Sequence, residues 1–143
     1  MNHYVITSNK HSFLLDGYME LFNRHCNSDI WWAKAESPIK NTVVLGFDEP
    51  DIKFTDNFSF VSLGKQDENP LWAPPLMSFF ENIEDDYFLL CFEDHYLVRD
   101  MNVELLEEGI SYIKSADAEK LYLQSDYNHM AGGAYKGNWV RSR

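Results

Sequence analysis

The order of β-rich runs and helical stripes predicts an α/β domain, a three-layer sandwich with helices on both faces of a mostly parallel sheet of about five strands. Three observations carry this expectation. Strand-like runs alternate with helical stripes in the order β-α-β-β-α-β-α-β. The stretches Thr42–Phe47 and Tyr87–Phe92 are almost continuously apolar, as strands covered on both faces are. All these elements fall within residues 1–127, the length of one domain with room for a sizeable core.

Each element follows from its residues. Tyr4-Val5-Ile6-Thr7 is rich in β-formers and reads as the first strand. Ser12 is placed to cap the helix that follows. Its apolar stripe is Leu14, Leu15, Tyr18, Met19 and Phe22, closed by His25 and Cys26, and Gly17 weakens it. Trp31-Trp32 falls in the connection back to the sheet. Thr42–Phe47 is the second strand, ended by the turn residues Asp48-Glu49-Pro50-Asp51. Phe58–Leu63 is the third, followed by the polar loop Gly64-Lys65-Gln66-Asp67. Pro74-Pro75 opens a second helix with Leu76, Phe79, Phe80 and Ile83 as its buried stripe. Tyr87–Phe92 is expected as the central strand, with Cys91 as a small core residue. Asn102 caps a third helix with Val103, Leu106, Ile110 and Ile113 on its core face, and Leu121-Tyr122-Leu123 is a fifth strand. From Asn128 onward, Gly132, Gly133 and Gly137 with Lys136, Arg141 and Arg143 predict a basic loop or disordered tail.

Composition narrows the function classes. A formal charge of −11 leaves no basic footprint for a nucleic acid. The longest apolar stretches fall far short of the roughly 18 residues that a membrane-spanning helix needs. The start of the chain, Met1-Asn2-His3-Tyr4, has no basic segment followed by a cleavable apolar one. The two cysteines, Cys26 and Cys91, form no CxxC pair, which argues against a zinc knuckle and fits a cytoplasmic protein.

An open parallel sheet binds ligands beyond the carboxyl ends of its strands. That rule selects Thr7, Ser8, Asn9 and Lys10 after the first strand, Asp48 and Asp51 after the second, and Gly64 and Lys65 after the third. After the run Tyr87–Phe92 it selects Glu93, Asp94 and His95. A tight turn there brings both carboxylates to one ligand, where hard oxygens suit Mg²⁺ or Mn²⁺ holding a diphosphate. The alternative is that Glu93-Asp94 is simply where the strand reaches water. His3, His11, His25 and His129 read as surface or packing residues, and Trp31, Trp32 and Trp72 as core or interface residues before sugar platforms.

The stretch Asp86-Tyr87-Phe88-Leu89-Leu90-Cys91-Phe92-Glu93-Asp94-His95-Tyr96-Leu97 resembles the strand and acidic motif of small GT-A-type glycosyltransferases of phage and marine microbial type. Tyr4 to Lys10, Phe22-Asn23-Arg24, Val44 to Asp51 and Phe60 to Gln66 are similar to the same proteins in order and spacing. The resemblance implies a Rossmann-like donor half, a nucleotide-sugar donor with an acceptor still to be named, and Mn²⁺ or Mg²⁺. It implies Glu93, Asp94 and His95 at the metal, with Thr7, Ser8, Lys10, Asp48 and Lys65 near the donor. The motif departs from the family in reading Glu-Asp-His where Asp-x-Asp is expected. Asp117, Glu119 and Asp126 are the acids that follow it, and none carries a matching motif for the catalytic base. The expectation is therefore a metal-dependent glycosyltransferase, or its donor-binding portion, with donor binding better supported than transfer. A non-catalytic interaction domain on the same fold, a homo-oligomer packing through Trp31, Trp32 and Trp72, is the alternative.

Overall fold

Four parallel strands make the first sheet: β1 (His3–Ile6), β2 (Thr42–Gly46), β3 (Phe58–Ser62) and β4 (Leu89–Phe92), in the order β3-β2-β1-β4. They belong to a computed structural model that describes residues 1–26, 39, 41–66, 71–116, 121–122, 132–135 and 139–142. The chain divides into two units, Met1–Met101 and Asn102–Arg143. In the first, the chain steps outward from β1 through β2 to β3, then returns to place β4 on the other side of β1.

Side-chain alternation along β1 assigns the two faces. Val5 points into a cluster with Leu15, Tyr18, Met19, Phe22 and Cys26 of helix α1 (Leu15–His25) and its cap, joined by Val44 and Phe58. Tyr4, one residue away, meets the rings of Phe79 and Phe80 of helix α2 (Ala73–Phe80) edge-on, each at 5.5 Å. Helices thus cover both faces of β1. Leu15, Phe22, Val5 and Val44 are fully buried, and each contributes roughly 1.5–3 kcal/mol of hydrophobic stabilisation.

The link from β2 to β3, Phe47 to Asn57, contains no helix. Ile52 and Phe54 pack against the cluster instead. Asn23, Thr55 and Asn57 close a ring of side-chain hydrogen bonds of 2.8–3.1 Å that ties this link to α1. At the end of β2, a Cβ on Gly46 would sit 2.8 Å from the Phe60 ring and 3.0 Å from the Thr7 methyl. Gly46→Ala should therefore cost about 1–3 kcal/mol in urea denaturation, the usual range for overpacking. An unchanged midpoint would show that Phe60 swings aside freely.

The second unit holds α3 (Val103–Ala116), β5 (Leu121–Tyr122), β6 (Gly132–Tyr135) and β7 (Trp139–Ser142). Asn102 caps α3 as predicted, its Oδ1 accepting from the Leu105 amide at 3.0 Å. The strands form an antiparallel sheet in the order β5-β7-β6.

Several expectations need correction. The parallel sheet has four strands, and the expected fifth, at Leu121–Tyr122, pairs antiparallel with β7 in the other sheet. The segment expected to be a loop or disordered tail contains β6 and β7, and the division falls at Met101 rather than near Tyr127. Tyr135, Trp139 and Val140 are strong β-formers, and they outweigh the glycines around them. The run Tyr87–Phe92 is not a central strand. β4 is outermost in its sheet, and Leu90 and Phe92, on the same face as Tyr4 and Ile6, are 42% and 45% exposed. The α2 stripe is half-buried rather than buried. Ser12 does not cap α1, because its hydroxyl donates to the Asn9 carbonyl within a short 3-10 turn. Trp31, Trp32, Asp117, Glu119, Leu123, Asp126 and His129 lie outside the described residues.

Candidate functional site

Strand order reverses between β1 and β4, the kind of topological switch point beside which open α/β sheets bind ligands. A cleft of about 550 Å³ lies there. Ile6 and His11 line it from β1 and its loop, Phe92 to His95 from β4 and its turn, and Trp72, Ala73 and Leu76 from the start of α2.

The acidic pair is held by a tight turn, as the sequence requires. The His95 amide donates to the Phe92 carbonyl at 3.0 Å, which makes Glu93 and Asp94 the two central residues of a β-turn. The Glu93 amide continues the ladder to the Ile6 carbonyl at 3.2 Å. The two side chains then part. Glu93 is only 5% exposed and its carboxylate meets His11 Nδ1 at 3.3 Å. Asp94 is 66% exposed at the rim, with His95 Nε2 at 3.8 Å. Burial pushes the Glu93 carboxyl above its usual range, and the charge of Asp94 adds to the rise. Its backbone hydrogen bond and His11 oppose it.

His11 is the residue that sequence reasoning missed. Its amide donates to the Ser8 carbonyl at 3.0 Å, so a turn carries it back over the end of the sheet. The polar, turn-forming pair Asn9-Lys10 just before it was the available signal. Trp72 was expected to pack first and to serve as a sugar platform second. It stands at the N-cap of α2, edge-on to the buried Phe47 at 5.7 Å, and lines the cleft.

No protein-family model, curated protein or solved structure matches the chain.

The remaining expected residues sit on neighbouring loops. Asn9 joins them: its side chain bonds Asp48 both through the carboxylate and through the Asp48 amide, and its own amide donates to Gln66 Oε1 at 3.1 Å. Asp48 is thus engaged with Asn9. Thr7 and Ser8 are buried, and the Thr7 hydroxyl donates to the Ser8 carbonyl at 3.4 Å, so Thr7 shapes the loop. Lys10 and Lys65 are exposed on the loops that Asn9 and Gln66 tie together, and neither pairs with a carboxylate among the described residues. Gly64, before Lys65, has φ +104°, a left-handed conformation that suits glycine at this turn.

Cys91 does not act as a nucleophile here. Burial pushes its thiol up to about 11, and that of Cys26 up to about 12, so both stay protonated at neutral pH. Among the described residues no three of His, Cys, Asp and Glu converge as a metal cage. The turn instead offers the accessible carboxylate of Asp94 with that of Glu93 behind it. Among the described residues no helix is long and apolar enough to cross a membrane.

Proposed function

We propose that the first unit binds a nucleotide-diphosphate sugar in the cleft at the switch point, as a metal-dependent glycosyltransferase or the donor-binding portion of one. The observation that carries this reading is the cleft itself, closed on one side by the Glu93-Asp94 turn. Among the described residues no lysine or arginine lines it, so a diphosphate beside Asp94 needs a cation between the two. A bound Mn²⁺ or Mg²⁺ would neutralise the diphosphate, held by Asp94 with Glu93 and His95 beside it. Lys10 and Lys65 on the adjoining loops supply positive charge toward the phosphates, and Ser8 and Asp48 border the nucleoside side. The proposal covers donor binding and leaves the base of a transfer step unassigned.

The reading is tested by thermal melts with a panel of nucleotide sugars, with and without MnCl₂. A donor at 100 times its dissociation constant should add about 2.7 kcal/mol of stability, read as a rise of several degrees that needs the metal. No rise with any donor would overturn the reading. It would favour an interaction domain on the same fold, to which the exposed Leu90 and Phe92 of the outermost strand β4 also point.

A further inference from the structure

The lining of the cleft is of two kinds. Ile6, Trp72, Ala73, Leu76 and Phe92 are apolar, two of them aromatic. His11, Glu93, Asp94 and His95 carry acceptors and donors. A ligand that fits both has an apolar flat face and a polar edge rich in hydroxyls. A sugar ring has this form, with its C–H groups on one face and its hydroxyls around the rim. A phosphate enters this lining only with a cation beside the Glu93 and Asp94 carboxylates, because among the described residues no lysine or arginine lines the cleft.

We propose that Trp72 is the platform on which the sugar ring of the ligand lies, with Asp94 and His95 receiving its hydroxyls, so that the cleft selects an uncharged polyhydroxylated ring. The substrate class rests on the nucleotide-sugar reading, with the diphosphate at the rim by Asp94. The platform is prepared before binding. Phe47, itself only 4% exposed, holds the indole edge-on at 5.7 Å and 79°. Pro74 and Pro75 in the first turn of α2 restrict the backbone that carries it. The Trp72 carbonyl accepts from the Leu76 amide at 3.2 Å, so both apolar residues move as one unit.

The test uses two probe sets on the full chain, Trp72→Ala and Trp72→Phe. In the first, saturation-transfer NMR follows methyl glycosides of glucose, galactose, mannose and N-acetylglucosamine at millimolar concentration. In the second, calorimetry compares UDP-glucose and GDP-mannose with UDP and GDP in MnCl₂. The parent should saturate the ring C–H protons of at least one glycoside. Trp72→Ala should lose that signal and bind the matching nucleotide sugar about tenfold more weakly, while its affinity for the nucleoside diphosphate stays unchanged. Trp72→Phe should keep most of the binding. Trp72 is half-buried, so melts within a few degrees of the parent will show that the variants fold. If the glycosides bind and the nucleotide sugars do not, the nucleotide-sugar reading fails and the platform stands. If no glycoside or nucleotide sugar binds, or if Trp72→Ala binds them as the parent does, the platform is overturned.

Discussion

Acidification below pH 6.5 should destabilise the first unit by about 1.4 kcal/mol per pH unit through one side chain, His3. Its ring is fully buried, stacked on Phe22 at 4.9 Å. Nδ1 lies 3.1 Å from the Thr42 hydroxyl and Nε2 lies 3.2 Å from the Tyr18 hydroxyl. A neutral imidazole satisfies this arrangement, donating to Thr42 and accepting from Tyr18. A charged one would have to be desolvated in the core, and burial accordingly lowers the His3 pKa from 6.5 to about 3. Between those two values the unfolded chain binds a proton that the folded chain refuses. Stability from this group is therefore complete above pH 6.5 and is lost as pH falls toward 3. Glu93 acts with the opposite sign, because its raised folded pKa makes the folded state take a proton more readily than the unfolded chain does. Urea denaturation at pH 7, 6, 5 and 4 should separate the two when the parent is compared with His3→Gln. The variant should start less stable at pH 7, by about 2–4 kcal/mol for a poorly filled core position. Its loss between pH 6 and 4 should be shallower than the parent's by about 1.4 kcal/mol per unit. Parallel slopes would mean that His3 protonates without unfolding.

What was legible in the sequence follows from where period and burial agree. The stripe Leu15, Tyr18, Met19, Phe22 repeats at helical spacing because one face of α1 is wholly buried, so its signal was complete. β2 is almost continuously apolar because it lies between β1 and β3 with four of its five residues buried. Tyr87 to Phe92 carries the same apolar signature and gives a different structure. Phe88 stacks on Phe80 at 4.6 Å before the strand begins, and Leu90 and Phe92 stay exposed on the Tyr4 face because β4 is flanked by a strand on one side only. An apolar run reports hydrophobicity, and neighbours decide whether it is covered. The glycine-rich C-terminal segment hid two strands for the converse reason, since pairing with a partner strand does not show in local composition. At the site, the acidic turn was legible because Glu93-Asp94 interrupts an apolar run. His11 was not, because a loop histidine has no period and its meaning comes from Glu93, far away in the chain. Trp72 was read as packing first, and it does pack on Phe47, yet it also lines the cleft.

Asp94→Asn should separate charge from shape at the cleft. The side chain is 66% exposed at the rim, so the amide fits without repacking, and stability should stay within about 0.5 kcal/mol of the parent. Two consequences follow from the lost charge. Asp94 is one of the causes that raise the Glu93 pKa, so the Glu93 carboxyl should titrate lower in the variant, observable by NMR. Donor binding in Mn²⁺ should weaken by at least tenfold, because loss of a metal-bound carboxylate typically costs more than about 1.4 kcal/mol. Leu97→Ala is the contrasting change. Leu97 packs against the core cluster and is absent from the cleft lining, so its truncation should lower the melting temperature first and affect binding only through the fold. Calorimetric titration of each variant with the donor in MnCl₂, beside a thermal melt, gives both quantities. If Asp94→Asn binds the donor as tightly as the parent while the Glu93 titration shifts, the pair is electrostatically coupled but holds no metal. Glu93-Asp94 would then be the point where β4 reaches water, and the metal-dependent reading would lose its chemical centre.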